Sequence, residues 1–301
     1  MRRLEGHEIR LYSDFQRFLL HAGTTFGLEA LRKRPRPVLP SVQAVEVRFE
    51  KAKDSPYVFL MAQFVDACFP GVTDLVLDCS PSTAMAFLGA LQPRTVSSLR
   101  RLVLSCATNG FVIDQSHMTS HDAHCWRSLS ELSVRNFQYF ELVMPTENPG
   151  LTRLHLSRTA VPVLELVEAL THRPTTGDSN DGISNNNNSS SSSSSSNLLV
   201  SLVLDCVVLR TSKNPNVGAV TKTWAQVFDA VRVGCPNLQE LEVSCYKYAR
   251  DYPWGDDPWD QRHPADVASL QTLLETVRGR PGGEARAQVY EEDGETVRVL
   301  D

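Results

Sequence analysis

LVSLVLDC, residues 199–206, decides how this chain is read, because close paraphrases of it recur: GVTDLVLDC at 71–79, LRRLVLSC at 99–106 and LQELEVSC at 238–245. Reduced to its apolar positions the phrase is L-x-x-L-x-L. It occurs as Val42, Val45, Val47; Val72, Leu75, Leu77; Leu99, Leu102, Leu104; Leu129, Leu132, Val134; Leu151, Leu154, Leu156; Leu199, Leu202, Leu204; and Leu238, Leu241, Val243. Start-to-start spacings of 30, 27, 30, 22, 48 and 39 residues follow from the first positions 42, 72, 99, 129, 151, 199 and 238. Self-similarity of this kind marks a repeat architecture.

Helical signals lie between the phrases. Thr223–Val233 places Trp224, Val227, Phe228 and Val231 at i, i+3, i+4 and i+7, and Gly234 and Pro236 stop the run. Residues 161–174 run from Pro162, near a helix start, to Pro174 beyond its end, and Tyr57–Cys68 and Ser82–Leu91 read the same way. Each unit is therefore a short strand with a helix-like return. One unit cannot cover its own apolar stripe, so neighbours stack and their leucines make one core. An ordinary α/β sheet with leucine-rich parallel strands is the simpler alternative. The recurrence of one three-point pattern favours the stack.

On these phrases, over roughly residues 40–250, the chain resembles an irregular leucine-rich-repeat protein of the kind found in F-box substrate receptors. The resemblance implies an α/β solenoid: a curved parallel sheet with helices on the convex side and terminal caps. Such repeats usually place Asn or Cys three residues after the last leucine, whereas Cys79, Cys106, Cys206 and Cys245 come two after. A buried ladder of Asn hydrogen bonds is then absent and the thiols fill space. The F-box itself, a helical adaptor-binding module, is not recognisable here.

Three regions follow. Residues 1–40 form an N-terminal helical cap, with a helix over 13–23 bounded by a Ser13/Gln16 capping box and Gly23. Residues 41–250 form the solenoid, interrupted by a disordered Ser/Asn insertion at 176–197 that is too polar to offset chain entropy. Residues 251–301 form a C-terminal cap: a helix carries Val267, Leu270, Leu274 and Val277 on one face, then a hairpin turns about Asp293-Gly294.

Composition narrows the function. A net charge of −5 argues against a dedicated nucleic-acid binder, and no apolar run reaches the ~20 residues of a membrane helix. The N-terminus lacks the apolar core of a signal peptide, so an intracellular protein of the cytoplasm or nucleus is expected, with its seven cysteines reduced. Phosphate-binding loops, dinucleotide fingerprints, nucleophile elbows and H-E-x-x-H are all missing, so neither an enzyme nor a cofactor is expected. His117, His121, His124 and Cys125 are the one set of zinc-type ligands. His124 and Cys125 are adjacent and would struggle to turn to one ion, which favours a plain connection over a zinc-dependent enzyme.

In L-x-x-L-x-L-x the third, fifth and seventh positions point away from the leucine core. On the middle strands these are Arg101, Val103, Glu131, Arg135, Arg153 and His155, with Val203 beyond them and acidic residues on the flanks. An arginine-centred concave face suits an acidic or phosphorylated segment of another protein, since guanidinium binds carboxylate and phosphate bidentately. The same charges could instead only keep an exposed sheet soluble. Trp254 and Trp259, in a Pro-rich loop, are further contact candidates. The expected activity is recognition of a protein partner without catalysis. Delivery of that partner to a ubiquitin-ligase adaptor is the alternative that the resemblance implies.

Overall fold

The computed structural model of the chain describes residues 10–11, 17–22, 38–49, 55–106, 128–137, 150–171, 198–210, 224–244, 264–290 and 297–300. Every L-x-x-L-x-L phrase runs into a strand. The main sheet comprises β1 Arg10–Leu11, β2 Arg17–Ala22, β3 Ala44–Phe49, β4 Asp74–Asp78, β5 Arg101–Ser105, β6 Glu131–Arg135, β7 Arg153–Ser157, β9 Ser201–Asp205, β11 Glu240–Ser244, β12 Glu284–Tyr290 and β13 Val297–Leu300. Its strand order follows the chain order, and all neighbours are parallel except the edge pairs β1–β2 and β12–β13. Two short strands, β8 Ala160–Pro162 and β10 Val208–Arg210, pair with each other in a separate parallel sheet.

Equivalent positions stand side by side. Val45, Leu75, Leu102, Leu132, Leu154, Leu202 and Leu241 form one row across the sheet, and Val47, Leu77, Leu104, Val134, Leu156, Leu204 and Val243 form the next. All are buried, and each contributes ~1.5–3 kcal/mol of apolar burial. The backbone repeats as closely. In each unit a carbonyl two residues before the next strand-facing leucine accepts two N–H groups from its neighbour: Gln43 from Thr73 and Asp74, Arg100 from Ser130 and Glu131, Val200 from Gln239 and Glu240.

The returns are α1 Ser55–Cys68, α2 Pro81–Ala90, α3 Pro93–Ser98, α4 Val163–Thr171, α5 Trp224–Gly234 and α6 Pro264–Arg278. Pro81 follows the N-cap Ser80, whose hydroxyl accepts the Thr83 N–H, so α2 starts where its local chemistry directs. Trp224, Val227, Phe228 and Val231 of α5 are buried as their spacing requires. Helices pack on helices, α1 on α2 and α4 on α5 on α6, and their apolar faces close over the leucine rows in a single core. The result is a mixed α/β fold with one face of the sheet covered by helices and the other, termed the open face, covered by no described helix.

The two ends differ from the expected caps. Arg17–Ala22, expected within a helix over 13–23, is a strand paired with β3 at all six of its positions. The sheet edge supplies that segment with a partner for its backbone, which outweighs the local capping signal. At the other end the expected helix and hairpin are present, yet α6 and β12 also repeat the helix-then-parallel-strand plan, and only β13 turns antiparallel. The insertion at 176–197 lies outside the described residues.

At the position two after the last leucine, Cys79 and Cys206 are buried and Cys106 is half-buried, and none is in a disulfide. Burial pushes the Cys79 thiol far up, with Cys106 and Asp78 adding to it. Three after the last leucine, among the described residues, stand half-buried Ser80 and Phe137, Thr159 and Val207, the last three each 1% exposed. Of these only Thr159 reaches the preceding strand by side chain, its hydroxyl donating to the Val134 carbonyl at 3.5 Å.

Candidate functional site

Strand register gathers the charged residues of the middle units on the open face. Arg101, Glu131 and Arg153 are direct neighbours in one row, and Val103, Ser133, His155 and Val203 are neighbours in the next. Arg135, Ser157 and Asp205 follow in the third. Arg101, Arg135 and Arg153 therefore share one face.

The three arginines are held differently. Arg101 Nε donates to Glu131 Oε1 at 2.7 Å, a pair about one-third exposed and so worth only ~0.2–1 kcal/mol. Arg135 is exposed and its Nε donates to the Ser133 hydroxyl at 3.2 Å, while Arg153 is exposed in the row below. Neither is paired with a carboxylate among the described residues. Among the described side chains of β5 to β7, the spare cationic charge thus belongs to Arg135 and Arg153.

His155 stands between them on β7, half-buried. Burial first, then the charge of Arg135, hold its imidazole below the ordinary 6.5, while Asp205, Glu242 and Glu131 pull the other way. At neutral pH the ring is uncharged and can donate or accept a hydrogen bond. Beside it the Ser157 hydroxyl donates to Asp205 Oδ2 at 2.7 Å. Val103 and Ser133 lie deeper, at 5% and 3% exposure, so they form floor rather than contact surface, whereas Val203 is partly exposed.

Toward β12 the face turns acidic and opens into a groove of about 550 Å³ lined by Val203, Glu240, Leu241, Glu242, Glu284 and Arg286 among others. Arg286 donates to Glu242 at 2.7 Å, which raises the guanidinium pKa further, while Glu240 and Glu284 are exposed ladder partners. The part of this groove on β12 was invisible to the leucine pattern, because Ala285 and Ala287 occupy the two core positions. The alternation in EARAQVY was the available signal.

His117, His121, His124, Cys125, Trp254 and Trp259 lie outside the described residues. Among the described residues no group of three His, Cys, Asp or Glu could hold a metal ion, and no helix is long and apolar enough to cross a membrane. No family model and no curated protein matches the chain.

Proposed function

We propose that this chain is an intracellular leucine-rich-repeat recognition protein without catalytic activity, whose open sheet face forms the concave wall of a solenoid and binds an acidic or phosphorylated segment of another protein. The observation that carries the reading is the placement of Arg135 and Arg153, exposed and without carboxylate partners among the described residues, around half-buried His155 on the sheet face that no described helix covers. Their guanidinium groups suit a carboxylate or phosphate, and the imidazole adds a neutral hydrogen-bonding group beneath. The regular strand order, the repeated backbone bonds and the rows of leucine support the repeat reading.

The test compares wild type with an Arg135→Glu/Arg153→Glu variant in affinity purification from native cells, after thermal unfolding has established that both are folded. Loss of the captured proteins by the variant is the expected result. Recovery of the same proteins by both would remove the binding role from this face.

A further inference from the structure

We propose that the open face takes up its acidic or phosphorylated segment together with a proton on His155, so that recognition tightens below neutral pH. This rests on the reading that the face binds an anionic segment, and adds the condition that regulates it.

Four strands bring charge to that ring. Ser133 is the ladder neighbour of His155 on β6, and Arg135 Nε donates to the Ser133 hydroxyl at 3.2 Å. The Arg135 guanidinium is therefore drawn back along β6 toward the level of the ring, one strand spacing of ~4.8 Å to the side. Arg153 stands two residues before His155 on β7 itself and shares its face. The carboxylates that act on the ring are Asp205 on β9, Glu242 on β11 and Glu131 on β6. All three are engaged by other donors. Asp205 accepts from the Ser157 hydroxyl at 2.7 Å and the Cys206 thiol at 3.3 Å, while Glu242 pairs with Arg286 and Glu131 with Arg101, each at 2.7 Å. The imidazole itself makes no hydrogen bond to a described residue.

Such a ring is poorly placed to hold a proton by itself. Burial and then Arg135 disfavour its charged form, and the committed carboxylates do not offset them. An anion seated on Arg135 and Arg153 reverses the balance. It cancels the guanidinium charge beside the ring and offers a protonated N–H an acceptor, which makes a charge-assisted hydrogen bond. Proton and anion then strengthen one another by the same factor. The proton is held more tightly in the complex, so affinity for the anion rises as pH falls from the raised midpoint of the complex toward the lowered midpoint of the free protein. Outside that window the affinity is level.

The experiment measures binding of two rhodamine-labelled synthetic peptides to the full chain by fluorescence anisotropy, at about pH 7.5 and about pH 6, after thermal unfolding has established that the protein is folded at both. One peptide carries a run of Glu, ionised throughout this range, and the other a phosphoserine, whose own charge changes within it. His155→Gln, which hydrogen-bonds but cannot take a charge, separates the ring from that change and from other titrating groups. Wild type is expected to bind the Glu peptide about fivefold tighter at the lower pH, and to show the same gain relative to His155→Gln with the phosphoserine peptide. NMR titration should place the His155 midpoint higher in the saturated complex than in the free protein. Equal pH dependence in wild type and His155→Gln, or a midpoint unmoved by bound peptide, would overturn the proton coupling while the recognition face stands. If wild type binds neither peptide at either pH, the recognition reading falls and this inference falls with it.

Discussion

His155 shows how one position can be both structural and responsive. Its ring is half-buried between the cationic and acidic parts of the open face, and burial together with Arg135 lowers its pKa from 6.5. The unfolded chain then binds a proton that the folded chain resists, so stability falls as pH drops through 6.5 toward the lowered folded value. NMR titration of the His155 ring should give a midpoint below 6.5, and Arg135→Ala should raise it; a midpoint that does not move would deny the coupling. Cys235 illustrates a purely structural residue. It is fully buried at the turn before β11, with its thiol pushed up to about 12 by burial against the opposing pull of Arg280. Alkylation of Cys235 at mild alkaline pH should be slow in the native protein and fast once unfolded.

Single elements follow local rules until a neighbour offers something better. α5 forms from its own periodicity, and the stop at Gly234 was legible in the sequence. The reason for glycine there was not. A Cβ at Gly234 would stand 2.0 Å from the Leu170 carbonyl oxygen at the end of α4, so the close approach of two consecutive helices forbids a side chain. Gly234→Ala should destabilise the protein by about 1–3 kcal/mol in denaturant unfolding, despite the better helix propensity of alanine. An unchanged midpoint would mean that α4 and α5 separate easily. The segment Arg17–Ala22 makes the same point in reverse: its capping signals read helix, and the open edge of β3 makes it strand.

The whole molecule must close both ends of its sheet. At the C-terminal end the closure depends on Arg278, whose guanidinium donates to the Ala285 carbonyl at 2.9 and 2.6 Å and to the Leu300 carbonyl at 3.0 Å. One side chain thus ties α6 to both β12 and β13. Arg278→Ala should loosen this cap by about 2 kcal/mol. Hydrogen exchange measured by mass spectrometry should then show faster exchange across 284–300 with β3 to β9 unchanged. Uniform acceleration throughout the sheet would show that the molecule unfolds as one unit rather than fraying from its end.

The sequence by itself determined the repeat. Seven leucine phrases set the strands, their alternation divided core from open face, and helical periodicity marked the main returns, because each of these depends on the period of side chains along a local backbone. By alternation alone Leu202 and Leu204 are core and Val203 is face, and the burial agrees, whereas Val103 and Ser133, face by the same alternation, are buried. Only the tertiary structure decided which charges are spare. Arg101 and Arg153 occupy the same place in their phrases, yet Arg101 is engaged by Glu131 and Arg153 is not paired with a described carboxylate. It also placed β2 and β12 in the sheet, two strands that lack the leucine phrase and are bound by backbone pairing. Pairing across the parallel strands joins residues 22–48 positions apart, and no local period encodes which of two equivalent side chains finds its partner there.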